Sequence, residues 1–145
     1  CSSPGIGLRG EMHGPGLTPL LKDADADWPH ATLLSLTGRN YGSDTAEVPT
    51  DPEVRDLAGI PWWVFLVDGK YKYIRTLIEG ETEELYDLES DPEELHNLAA
   101  QAEFAERVKQ MREATVAELR RTKAPLVDQL PNVKSVSAKR KGKAD

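Results

Sequence analysis

The stretch WWVFLVDGKYKYIRTL, residues 62–77, decides the fold. Trp62–Val67 is apolar, aromatic and β-branched, Asp68-Gly69 supplies a turn, and Lys70–Leu77 then interleaves Lys70, Lys72 and Arg75 with Tyr71, Tyr73 and Ile74. Two such runs around Asp-Gly predict a β-hairpin, because glycine accepts the positive φ that a two-residue hairpin turn needs. Side chains alternate across a strand, so this spacing predicts one buried and one solvated face.

The neighbouring segments extend the sheet on both sides. Upstream, Ala31–Thr37 carries Leu33, Leu34 and Leu36 with two threonines and reads as a strand. A polar loop from Gly38 to about Gly59 separates it from the hairpin, and a connection this long is usually functional or disordered. Downstream, Glu79-Gly80-Glu81 makes the next turn, and Glu83–Leu88 is a short last strand. Ser90-Asp91-Pro92-Glu93-Glu94 reads as a helix start, with Asp91 as N-cap, Pro92 at the first position and Glu94 reaching back; it opens a short turn ending near Asn97. From Ala102 to Thr122, Phe104, Val108, Met111, Thr115 and Leu119 recur at three- and four-residue steps. They form one apolar stripe opposite a face with Arg107, Lys109, Arg112, Glu113 and Arg120. The expected fold is α+β: a small antiparallel β-sheet of about four strands packed against a long C-terminal α-helix. Residues 1–11 read as a linker from an upstream domain, 12–122 as the subdomain itself, and 123–145 as an extended basic tail, of which Lys134–Asp145 has no apolar period.

Composition narrows the function. The 145 residues contain no apolar run near the roughly 20 that a helical bilayer span needs, so no membrane partner is expected. The net charge of −7 argues against a nucleic-acid partner, and the basic run Lys139-Arg140-Lys141-Gly142-Lys143 has no interleaved aromatic. Cys1 is the only cysteine, which excludes a disulfide-built fold, and no histidine stands at a diagnostic spacing from it. Asp23, Asp25 and Asp27 alternate, but Trp28 and Leu34 stand where a calcium loop needs glycine and glutamate. His13, His30 and His96 form no zinc-ligand spacing, and His96 reads as support for a helix end. Between Ile78 and Glu103 there are many carboxylates and no lysine or arginine; Glu83-Glu84 and Glu93-Glu94 read as a solvated acidic face.

Two features point to a ligand. Gly38-Arg39-Asn40-Tyr41-Gly42 sets a guanidinium, an amide and a phenol between glycines, a combination suited to an anionic or sugar-like molecule. Trp62 and Trp63 are adjacent on a strand and face opposite ways. Only one joins the core easily; the other is covered by another domain, lines a pocket or lies exposed. Arg39, Asn40, Tyr41, Trp62 and Trp63 are therefore the candidate substrate-binding residues.

Three segments resemble the C-terminal part of the sulfatase family, arylsulfatase-like enzymes of the alkaline-phosphatase-like superfamily. They are HGPGLTPLLK (13–22), DGKYKYI (68–74) and GETEELYDLESDPEELHNLA (80–99), in family order. The resemblance implies a small sheet with a terminal helix, attached to an N-terminal α/β catalytic domain that this chain lacks. It implies a parent enzyme that hydrolyses sulfate esters of a small molecule or carbohydrate, with calcium and a formylglycine, in a periplasmic or secreted setting. The family's formylglycine motif is Cys/Ser-x-Pro-x-Arg; in Cys1-Ser2-Ser3-Pro4-Gly5 the proline stands one place late and arginine is absent. No catalytic residue, metal ligand or cofactor site is therefore assigned to this chain. A stand-alone binding module without catalysis is the alternative expectation.

Overall fold

The computed structural model describes residues 21–23, 31–40, 42–49 and 60–134. The chain divides into two units, Cys1–His30 and Ala31–Asp145. In the first, Leu21 and Lys22 are helical and Leu21 is 84% exposed. Cys1, Asp25, Asp27, His13, His30 and the basic run 139–143 lie outside the described residues.

The second unit holds the sheet. Strands β1 (Thr32–Leu36), β2 (Trp63–Asp68), β3 (Tyr71–Thr76) and β4 (Glu84–Asp87) lie in the order β1-β2-β3-β4, and every neighbouring pair is antiparallel. Asp68 pairs with Tyr71, so Gly69 and Lys70 are the two turn residues. Gly69 takes φ 57°, the left-handed conformation that the hairpin twist demands at this position. Helix α1 (Ala105–Arg121) follows a 3₁₀ turn at Ala102–Phe104 and lies on one face of the sheet.

Register explains the core. Leu33 pairs with Leu66, Leu66 with Tyr73 and Tyr73 with Leu85, so one cross-sheet row meets Val108 and Met111 of α1. A second cluster joins Trp62, Val64 and Leu77 to Leu119. The buried positions of α1 are Val108, Met111, Thr115 and Leu119, the stripe expected from the sequence, with Phe104 half-buried at its start. Thr115 fits there because its hydroxyl donates to the Met111 carbonyl at 2.7 Å, which satisfies that buried donor.

Four expectations need correction. The segment after β4 is not a helix start. Asp91 does accept backbone N–H groups, but from Leu95 (3.1 Å) and His96 (2.8 Å), and Glu94 takes φ 57°, which interrupts any helical turn. The loop is stitched to β4 instead: Leu98 N–H donates to the Leu85 carbonyl, while Asn97 Oδ1 accepts from Leu85 and Ala99. His96 accordingly supports no helix end, and its side chain is 77% exposed beside Asp91. Glu83 is not on a solvated face but 5% exposed. Arg112, expected on the outer face of the helix, turns inward to pair with it.

The chain after α1 is also folded, as far as Lys134, where an extended tail was expected from residue 123. Pro125–Gln129 forms a 3₁₀ helix whose Leu126 is 2% exposed in the Trp62 cluster. Beyond it, Gly80 N–H donates to the Asn132 carbonyl and Lys134 N–H to the Glu81 carbonyl, both at 3.1 Å. Burial of Leu126, with Val127 and Leu130 packed beside it, and these two hydrogen bonds help hold the segment in place.

Candidate functional site

Four of the five candidate residues come to one end of the sheet. β1 ends at Leu36 and β3 at Thr76, and both residues pair with Trp63, where β2 begins. The turn after β1 therefore lies at the same end as the tryptophan pair. That turn is closed by Asn40 N–H donating to the Thr37 carbonyl (3.0 Å) and by the Thr37 hydroxyl donating to the Asn40 carbonyl (2.5 Å). Arg39 is exposed at its tip and Asn40 is half-buried. Tyr41 lies outside the described residues.

The tryptophans part as their adjacency requires. Trp62 is 5% exposed and lies just before β2, where its carbonyl accepts from Leu77 N–H at 2.7 Å. It walls a cavity of about 240 Å³ together with Val48, Pro49, Pro61, Leu77 and Pro131. Trp63 stays half-buried on the opposite face and stacks on Phe65, with ring centroids 5.6 Å apart and planes within 15°. Glu79 also borders the cavity, and its carboxylate accepts from the Asn132 side chain at 3.2 Å. This end of the sheet offers contact chemistry: an exposed guanidinium, an amide and an aromatic face. Among the described residues, no three His, Cys, Asp or Glu side chains gather to hold a metal ion.

Sequence reasoning missed a buried polar cluster. Glu83 accepts from Arg112 Nε at 2.6 Å and Nη2 at 2.5 Å, and from the Tyr73 hydroxyl. Glu83 stands two residues before Leu85, so strand parity already placed it on the inner face. What the sequence could not supply was its partner, 29 residues away on α1. Beside it, Arg75 is 7% exposed and its Nη2 donates to the Pro131 carbonyl, which fixes the folded C-terminal segment to β3.

Electrostatics follow from these contacts. Burial, then the hydrogen bond to Glu83, pushes the Tyr73 phenol well above its ordinary value. Burial and the hydrogen bond to Glu84 push Tyr86 up to about 12. The carboxylate of Glu83 raises Arg112 further. On the surface, the hydrogen bond from Lys70 holds Asp87 below the usual carboxylate range. The tyrosine shifts set an alkaline limit. A phenol whose folded pKa is raised contributes stability that is fully present below the unfolded value near 10 and is lost as pH rises above it. Phenolate absorbance from Tyr73 is therefore expected only in step with loss of far-ultraviolet circular dichroism. Ionisation of all four tyrosines near pH 10 with the fold intact would contradict the buried pairing.

The family model for "N-sulphoglucosamine sulphohydrolase, C-terminal" matches residues 2–122. The chain belongs to this sulfatase C-terminal family. No curated protein matches. Among solved structures, BT4656 in complex with its substrate D-glucosamine-2-N,6-O-disulfate is similar, with TM-score 0.59 and 19% identity; the match covers 82% of this chain and 22% of that one. A 4S-sulfatase structure from the glycosaminoglycan-metabolism locus of Bacteroides thetaiotaomicron has TM-score 0.45 and 19% identity, over 83% of this chain and 25% of that one. The sulfatase C-terminal subdomain described here thus spans about a quarter or less of these structures' length. Its hairpin and its last strand carry the segments whose resemblance pointed to the family, and the α+β fold is the expected one.

Proposed function

We propose that this subdomain belongs to a sulfate-ester hydrolase acting on a sulfated sugar, in which it supports the fold and lines the mouth of the substrate pocket. The family match over residues 2–122 carries the reading. A sulfated amino sugar is the substrate class suggested by the family's description and by the ligand of BT4656. The contact residues would be Arg39 toward a sulfate, Asn40 toward hydroxyls and Trp63 toward a sugar face, with Trp62 shaping the adjoining cavity. Tyr41 joins them by its place in the sequence. Calcium and formylglycine, implied by the family, would supply the electrophilic and nucleophilic chemistry. Among the described residues, no His, Cys, Asp or Glu cluster offers a ligand set for the metal.

The test uses the 145-residue chain and the intact polypeptide encoded at its locus, each assayed with an N-sulfated glucosamine and calcium. The chain alone is expected to show no turnover and the intact polypeptide to turn over. Arg39→Ala in the latter is expected to raise KM about tenfold, the loss of one charge-assisted contact. Turnover by the short chain would refute the absence of catalytic residues. A locus with no upstream α/β body would favour a stand-alone binding module.

A further inference from the structure

Glu83 lies within reach of two arginines, and one of them holds it. Strands β3 and β4 pair Tyr73 with Leu85 and Ile74 with Glu84. The same register carried one residue further sets Arg75 opposite Glu83, on the face where Tyr73 and Leu85 meet α1. Directly opposed side chains start about 5 Å apart at Cβ, a short span for an arginine. Arg75 nevertheless turns away. Its Nη2 donates to the Pro131 carbonyl, and its buried Nε has no hydrogen-bond partner among the described residues. Glu83 takes its guanidinium from Arg112 instead, 29 residues along the chain.

The two arginines are unequally satisfied. Arg112 makes two charge-assisted hydrogen bonds to a carboxylate, the stronger kind. Arg75 is 7% exposed, gives one N–H to a neutral carbonyl and leaves another idle in the interior. What keeps it there is the segment that carries Pro131. That segment is anchored by Leu126 in the Trp62 cluster, by the Asn132 side chain donating to Glu79, and by the backbone bonds of Asn132 to Gly80 and of Lys134 to Glu81. All of these anchors lie beyond residue 122, where the family match ends.

We propose that residues 125–134 are a movable strap whose seating decides which arginine holds Glu83. With the strap seated, Arg75 serves Pro131 and Arg112 holds Glu83. With the strap lifted, Arg75 loses its carbonyl and turns to the carboxylate across the strand, in competition with Arg112. Strap and helix are thereby coupled through one carboxylate, and the coupling runs both ways: weakening the hold of Arg112 on Glu83 draws Arg75 over and loosens the strap. Gln129 and Pro131 of the strap border the Trp62 cavity, so the exchange also moves a wall of that cavity.

Residue-resolved amide exchange by NMR on the 145-residue chain tests the coupling. The Lys134 amide, bonded to the Glu81 carbonyl, reports on the strap. It is expected to exchange about tenfold faster in Arg112→Ala than in the wild type. Met111→Ala removes a buried side chain from the adjacent position of α1 and should leave the Lys134 rate within about twofold, which separates arginine exchange from a general loss of stability. In an Arg75→Met chain no guanidinium can cross, so adding Arg112→Ala should change the rate by less than about twofold. Arg112→Lys keeps the charge but not the paired donors; it should give an acceleration of about threefold and serves if the alanine variant leaves too little folded protein. An unchanged Lys134 rate in both Arg112 variants overturns the proposal. So does equal acceleration by Met111→Ala, or a full acceleration that persists without Arg75.

Discussion

Replacing Arg112 by alanine is expected to cost about 3–5 kcal/mol of unfolding free energy, measured by urea titration of circular dichroism. The reason is the asymmetry between making and breaking a buried ion pair. Glu83 is 5% exposed and receives two hydrogen bonds from Arg112; without them its carboxylate is left with the Tyr73 hydroxyl alone. Glu83→Ala should cost less, about 2–3 kcal/mol, since Arg112, with 36% of its side chain exposed, can turn toward water and the main loss is an orphaned phenol. Removing the whole set, as Tyr73→Phe, Glu83→Met and Arg112→Met together, should return stability to within about 1–2 kcal/mol of the parent chain, because packed apolar side chains replace a buried pair at little net cost. For a domain with roughly 5–15 kcal/mol in total, the single arginine change is a large fraction of the whole. A loss below about 1 kcal/mol for Arg112→Ala would mean that water replaces the guanidinium at Glu83, and that the cluster does not fasten α1 to β4.

The second large effect lies beyond the helix. Leu126→Ala is expected to cost about 2–4 kcal/mol, as for other fully buried leucines whose removal leaves a cavity. Ending the chain at Thr122 should cost more, because it also removes Val127 and Leu130, which pack on the same cluster, and the Pro131 carbonyl that accepts from Arg75. The nearly buried Arg75 would then lose its acceptor. Thermal unfolding of the full chain, the Leu126→Ala variant and the shortened chain should give melting temperatures in that descending order. Equal values would restore the view of residues 123–134 as an appendage.

The elements were legible because their signals are local. Alternation around Asp68-Gly69 gave the hairpin, and the spacing from Phe104 to Leu119 gave the buried stripe of α1. The helix start at Asp91 was misread although its residues fit a cap. Asp91 and Asn97 supply acceptors to loop amides, and the β4 edge takes up Leu98, so the segment satisfies its backbone without turning into a helix. Leu126 was missed because Pro125 and Pro131 bracket its segment and leave too few apolar positions for a period to be read. At the candidate site, residue types in the Gly38–Gly42 loop and the tryptophan pair were visible in the sequence. Their assembly at one end of the sheet required the β1–β2 register.

The sequence by itself determined the strands, the helix and its inner face, and it carried the segments that place the chain among sulfatases, since each of these is written in residues a few positions apart. Only the tertiary structure decided that Trp62 rather than Trp63 enters the core, that the inner-face Glu83 is paired rather than solvated, and that Arg112 leaves the solvated face to meet it. Those choices depend on partners far along the chain, and the free energy of burying a ring or a charge is set by what lies opposite it after folding, not by its neighbours in sequence.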